Sequence, residues 1–250
     1  MVPAVSLVGL LVYFVATGAI GTRLLRLWWR TRELPELSTG IGYIAAGTLG
    51  WSLVLAGHAP PIIDTPIGLA VQIAAVFFLS VGSLSVAIGT WRIFRPQHAW
   101  VGAICGVLAL LLIVDFVHNA VLQHTPFVRA TSPWYWPGAI GRAVAFVWSP
   151  LESTRYYRLL RLRLRLGLVE PVVVNRFLLW AISGLTSLAT TVLALGGTIL
   201  DVDLSHPDAF LAAYAVLGVT GALALWLAFF PPQRYLDAIE GRTSSEGGET

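Results

Sequence analysis

Seven long apolar blocks dominate the chain, spanning roughly 3–27, 40–57, 67–94, 100–121, 136–157, 172–200 and 209–230. Each comes close to or exceeds the ~20 residues that an α-helix needs to cross ~30 Å of hydrocarbon. Backbone N–H and C=O groups must be satisfied internally in such a medium, and the blocks lack the alternation of a β-barrel, so helices are predicted. A soluble core of this size would leave polar faces on its surface helices. Here only 12% of the 250 residues are charged and 56% are hydrophobic, about half the usual share of charge. The expected fold is therefore all-α: one polytopic bundle of seven transmembrane helices over 1–240, solvated by the lipid bilayer. The polar stretch 241–250, RTSSEGGET after Gly241, is expected to be a disordered tail. The N-terminus lacks a basic n-region, so no cleavable signal peptide is expected.

Arginine placement predicts the orientation. Arg23, Arg26, Arg30 and Arg32 flank the first connection, Arg92 and Arg95 the third, and Arg158, Arg161, Arg163 and Arg165 the fifth. Arg234 and Arg242 follow the last block. The second and sixth connections, HAPPIIDTP and DVDLSHPD, contain no arginine, and the fourth has only Arg129. By the positive-inside rule the N-terminus lies outside and the C-terminus inside. This is the layout expected of a multi-pass protein in a bacterial cytoplasmic membrane. Trp134 and Trp136 at the outer side, and Trp28, Trp29, Trp91 and Trp100 at the inner side, fit interfacial aromatic belts. Gly42, Ala46 and Gly50 in the second block, and Ser183, Ser187 and Thr191 in the sixth, form small-residue stripes that fit close helix packing.

Two regions carry the polar chemistry. In the fourth block IVDFVHNAVLQH sets Asp115, His118 and Asn119 at i, i+3 and i+4, on one helical face near its outer end. Arg142 lies at a similar depth in the fifth block, which runs the opposite way. Charge exposed to lipid costs at least ~2 kcal/mol, so Asp115 and Arg142 are expected to face each other. An outward-opening pocket follows, with Trp136, Tyr135, His58 and His206 around its mouth. The bland alternative is a pair that only fixes helix register, with His118 and Asn119 touching interfacial water. The second region is SPLESTRYYRLLRLRLRLGLVEPVVVNRF. Pro150 removes a helical hydrogen bond, so a kink near Phe146 is predicted. Glu152 is placed to meet Arg155 or Arg176. Arg155, Arg158, Arg161 and Arg165 follow a helical stripe, and Asn175 and Arg176 are expected to face it or Glu152. RLRLRL also alternates as a strand would, but continuity with the preceding helix favours helix. Anchoring to anionic headgroups accounts for the arginines on its own; a cytoplasmic projection that docks a separate protein is the functional alternative.

All sixteen basic residues are arginine. Without a primary amine no retinal Schiff base can form; the sequence leaves any other cofactor open, and His58 and His118 would serve a haem only if both faced into the bundle. The lone Cys105 excludes a disulfide framework. His58, His118 and His206 are candidate metal ligands on the predicted outer side, although no HxxxH or HExxH spacing is present. No nucleotide loop, catalytic triad spacing or nucleic-acid-binding pattern stands out. The segment GLVEPVVVNRFLLW resembles one found in uncharacterised bacterial seven-helix integral membrane proteins. That likeness covers the helix–loop–helix leading into the sixth block and implies a fold, not an activity. The leading expectation is a receptor-like sensor: a small ligand bound outside at Asp115, His118, Asn119, Arg142 and Trp136, and a cytoplasmic partner reading Pro150, Glu152, Arg155, Arg158, Asn175 and Arg176. A small-solute or proton-coupled transporter is the alternative, and a membrane metalloprotein or enzyme using the outer histidines is the third.

Overall fold

The computed structural model describes residues 2–199 and 208–246. Among these it is all-helical, and six helices are long and apolar enough to cross a membrane. These are α1 (Val2–Thr31), α2 (Leu34–Gly57), α3 (Pro66–Phe94), α4 (Ala99–Leu122), α6 (Pro171–Ile199) and α7 (Asp208–Phe229). The fifth apolar block forms α5 (Tyr135–Arg165), whose 31 residues are ample in length. It falls outside the six because Arg142, Glu152 and the arginines from Arg155 onward dilute its apolar content. A last helix, α8 (Gln233–Glu246), runs into the stretch expected to be disordered, and 247–250 lie outside the described residues.

Helix ends follow local chemistry. The Thr65 side chain caps α3 by accepting from Gly68 N at 3.1 Å, with Pro66 at the first helical position, where a missing N–H costs nothing. Gly167 ends the α5 hairpin at φ 68°, a conformation that glycine adopts without strain. Pro150 does not break α5: the helix runs continuously from Tyr135 to Arg165.

The packing order is a ring, α1–α2–α3–α5–α6–α7, closed by α7 against α1, with α4 lying outside it against α3 and α5. The core is made mainly of small residues, while large ones point outward. Ala75, Ala87 and Ala145 are fully buried, whereas Val15, Ile67, Leu110 and Ile113 are mostly exposed. Such an inversion suits a bundle whose solvent is lipid, where association comes from close packing rather than apolar burial. The glycine stripe of α2 is used against α3: Gly42 meets Val86, Gly50 meets Leu79, and a Cβ on Gly82 would stand 2.4 Å from Ala46 N. In this squeezed region, Tyr43–Gly50, α2 winds as a π-helix.

At the end of the bundle where α3 stops and α4 begins, the ring is filled by aromatic side chains. Phe94 of α3, Tyr156 of α5, and Phe177 and Trp180 of α6 touch one another, and Trp180 also meets Phe229 of α7. Tyr43 of α2 joins Trp180 and Phe229 against Ile20 and Leu24 of α1. All six ring helices thus contribute to one plug.

Candidate functional site

α4 presents two faces with different solvents. Trp100, Ile104, Val107, Leu110, Ile113, Val117 and Val121 are exposed, while Val101, Cys105, Leu108, Leu112, Asp115 and Asn119 are buried. The buried set alternates steps of four and three, the spacing of a packed helix seam. Asp115 and Asn119 therefore occupy the two outermost seam positions, where an apolar residue would otherwise sit. They fit because α5 offers glycine there. A Cβ on Gly138 would lie 2.3 Å from the Asp115 carboxylate, and one on Gly141 would lie 2.9 Å from Leu112.

The buried carboxylate is fully engaged. Arg142 Nη1 donates to Asp115 Oδ2 at 2.8 Å, and Asn119 Nδ2 donates to Oδ1 at 2.9 Å. Asn119 Nδ2 also donates to the Trp134 carbonyl at 2.8 Å, tying α4 to the N-terminus of α5. A carbonyl and a carboxylate only accept, so the amide orientation is fixed and its Oδ1 must accept. His118 Nδ1 lies 3.0 Å from that oxygen. His118 Nδ1 is therefore the donor in this contact, and Nε2 is the ring's remaining polar atom. The imidazole stacks on the Trp134 indole, 3.6 Å between centroids at 13°.

From Phe116 to Leu122 α4 also winds as a π-helix. Gln123 N donates to His118 O and Thr125 N to Asn119 O, both longer loops than an α-turn makes. Such wide turns recur at functional sites in membrane and soluble helices alike. Here the turn opens a cavity of about 320 Å³ lined by His118, Asn119, Gln123, Thr125, Val128, Ser132 and Trp134. Its wall mixes polar side chains with Val128 and the Trp134 ring. The two charges beneath it, Asp115 and Arg142, are spent on each other.

The residues expected at this site divide clearly. Asp115, His118, Asn119 and Arg142 come together, and the first and last form the expected pair. Trp136 does not join them: it is exposed and packs edge-on to Tyr135. Its neighbour Trp134 takes the place expected for it, because the loop ahead of α5 turns back over α4. His58 bonds Val54 O through Nδ1 and meets Phe127, not His118. His206 lies outside the described residues. Among the described residues no three histidine, cysteine, aspartate or glutamate side chains gather as a metal site.

The residues expected on the inner side find partners other than those expected. Glu152 pairs with Arg95 Nε at 2.5 Å and receives Trp148 Nε1 at 3.4 Å, leaving Arg155 exposed. Arg95 was missed because it closes α3, two helices earlier in the sequence but adjacent in the ring. Asn175 turns away from the arginine stripe and donates to Tyr235 of α8 at 2.9 Å, while Arg176 is exposed beside the same junction. Pro150 is fully buried, with Gly184 of α6 against its ring. Arg158 is exposed.

No protein-family model, curated protein or solved structure matches this chain. Its class rests on its own sequence and structure: an all-helical, multi-pass integral membrane protein with six helices apolar enough to span the bilayer.

Proposed function

We propose that the chain is a seven-helix membrane receptor in a bacterial cytoplasmic membrane, with α5 as the seventh crossing, the N-terminus outside and the C-terminus inside. It binds a small polar ligand in the cavity above Asp115 and signals to a separate cytoplasmic protein. One observation carries this reading. α5 is a single continuous helix, about 46 Å long at ~1.5 Å per residue, with the pocket's tie points at one end and the arginine projection at the other. A displacement of its outer end by a ligand would reach the inner end through one rigid element. The plug, aromatic side chains from five ring helices closed by Ile20 and Leu24 of α1, favours sensing over transport, because it fills the proposed inner end, where a permeant would have to leave.

Spin labels at the inner ends of α3 and α6 test the coupling. A ligand retained on purification, or found by thermal-shift screening of polar small molecules, should change the distance distribution. Gln123→Ala and Thr125→Ala, on the pocket wall, should abolish that response. Ligand-dependent flux through liposomes with an unchanged distribution would overturn the receptor reading in favour of transport. Orientation is tested in a Cys105→Ser background: a cysteine at Thr65 should label from outside and one at Leu164 should not.

A further inference from the structure

The end of α5 at Arg165 extends past the rim of the bundle. α3 ends at Phe94, whose ring meets Tyr156 at 5.7 Å, so Tyr156 lies at the inner rim. α4 begins at the same rim and reaches Leu122, 24 residues away, about 36 Å and enough to cover the hydrocarbon. α5 then continues nine residues past Tyr156, to Arg165. That is roughly 14 Å, against a headgroup layer of about 6 Å on each side.

This projection is patterned. Leu160 is buried toward the bundle, while Leu159, Leu162 and Leu166 are 48%, 58% and 67% exposed. They lie at steps of three and four, so they form one outward seam. Arg158 and Arg165 flank the seam on one side and Arg163 on the other, all exposed. In heptad terms the leucines sit at a, d and a, and these arginines at g, g and e, the positions that choose a coiled-coil partner by charge. The nearest carboxylates on the hairpin are Glu152, engaged by Arg95, and Glu170, in the turn before α6.

The geometry points to a docking seam for an acidic amphipathic helix, one that covers Leu159, Leu162 and Leu166 with its own apolar stripe and sets Asp or Glu against Arg158, Arg163 and Arg165. A second copy of this chain does not fit, because its seam would bring arginine against arginine. An anionic bilayer surface suits the arginines nearest the rim but leaves the outer leucines in water. The inference deepens the receptor reading, on which it rests for the existence of a cytoplasmic partner.

The test uses the full chain in nanodiscs of uncharged lipid. The probe is a labelled synthetic three-heptad helix with leucine at a and d and glutamate at e and g; its twin carries lysine at e and g. The glutamate probe should bind and the lysine probe should not. Binding should weaken at least about tenfold in high salt, in the triple variant Arg158→Glu/Arg163→Glu/Arg165→Glu, and in Leu159→Ser/Leu162→Ser. The lysine probe should bind the charge-reversed variant, which shows that this variant is folded and that the seam reads charge. Equal binding of both probes, or full binding by the leucine variant, would sink the seam. So would loss of probe binding in anionic nanodiscs together with immobilisation of a spin label at Leu166, since the membrane surface would then be the occupant. Failure here with an intact ligand-driven distance change strikes the docking seam alone; the reverse result strikes only the receptor reading.

Discussion

Removing Arg142 should cost more than removing Asp115, and removing both should cost less than removing Arg142 alone. The order follows from what each substitution strands. Arg142→Gln leaves a carboxylate whose side chain is 4% exposed, with Asn119 as its remaining donor. Breaking a buried pair in this way costs ~3–5 kcal/mol. Asp115→Asn instead strands a guanidinium that is 26% exposed. Its charge can reach water, so ~1–2 kcal/mol is expected. The double variant strands no charge and loses only hydrogen bonds, again ~1–2 kcal/mol. The coupling energy between the two sites should therefore be ~3–5 kcal/mol, at or above the upper end for contacting residues.

Cys105 provides the assay. It is the one cysteine in the chain and is 5% exposed on the buried seam of α4, the same helix that carries Asp115. A thiol-reactive fluorogenic dye will report unfolding as this sulfur becomes accessible. Arg142→Gln should lower the apparent Tm by on the order of 10 °C, with the other two variants clearly above it. Additive losses, with the double variant the least stable of the three, would mean that the pair contributes no coupling and that α4 and α5 are held at this level by Asn119 and Trp134 alone.

Three further outcomes follow from single contacts. Gly138→Ala places a methyl 2.3 Å from the Asp115 carboxylate and should destabilise by ~1–3 kcal/mol or more, while Gly106→Ala, with nothing within 4 Å, should leave the melting curve within ~0.5 kcal/mol of wild type. Glu152→Gln removes the partner of Arg95 and should lower thermal stability, whereas Arg155→Gln, on an exposed side chain, should not; equal effects would contradict the Arg95–Glu152 pairing. Tyr235→Phe deletes the hydroxyl that meets Asn175 and should speed hydrogen exchange over α8 without moving the melting of the bundle.

How much of this could be read from the sequence depended on the range of the information required. The helices were legible because hydropathy is local. The Asp115–Arg142 pair was legible because two charges of opposite sign in apolar blocks, at matching depth on adjacent antiparallel helices, have few other solutions. The α2 stripe was legible in kind, and the structure adds that Gly42, Ala46 and Gly50 all address α3. Glu152 was misassigned because i+3 spacing favoured Arg155, and spacing within one helix says nothing of a residue at the end of another. Asn175 was misassigned for a related reason: its partner Tyr235 lies past the last apolar block, where the hydropathy pattern offered no partner. α5 shows the opposite limit, since two of the charges that lower its apparent apolarity, Glu152 and Arg142, are paired only once α3 and α4 supply Arg95 and Asp115.

The substitution of Trp134 for Trp136 has a more specific cause. In an α-helix Asp115, His118 and Asn119 would stack on one face, and His118 would compete for the carboxylate. The π-turn from Phe116 to Leu122 widens that stack. Asn119 keeps its place in the seam and reaches Asp115, while His118 moves beside Asn119 and beneath the Trp134 ring. The chain leaving the wide turn is then held by Thr125 N on Asn119 O and folds back toward α5, which brings Trp134, the residue before the helix, over α4. Trp136 is already inside α5 and points elsewhere. A local backbone choice thus separates a structural contact, Asn119 on Asp115, from an available one, His118 at Nε2. The cavity wall takes its shape from that turn: tightening it to an α-turn would return His118 toward the carboxylate and away from the Trp134 ring.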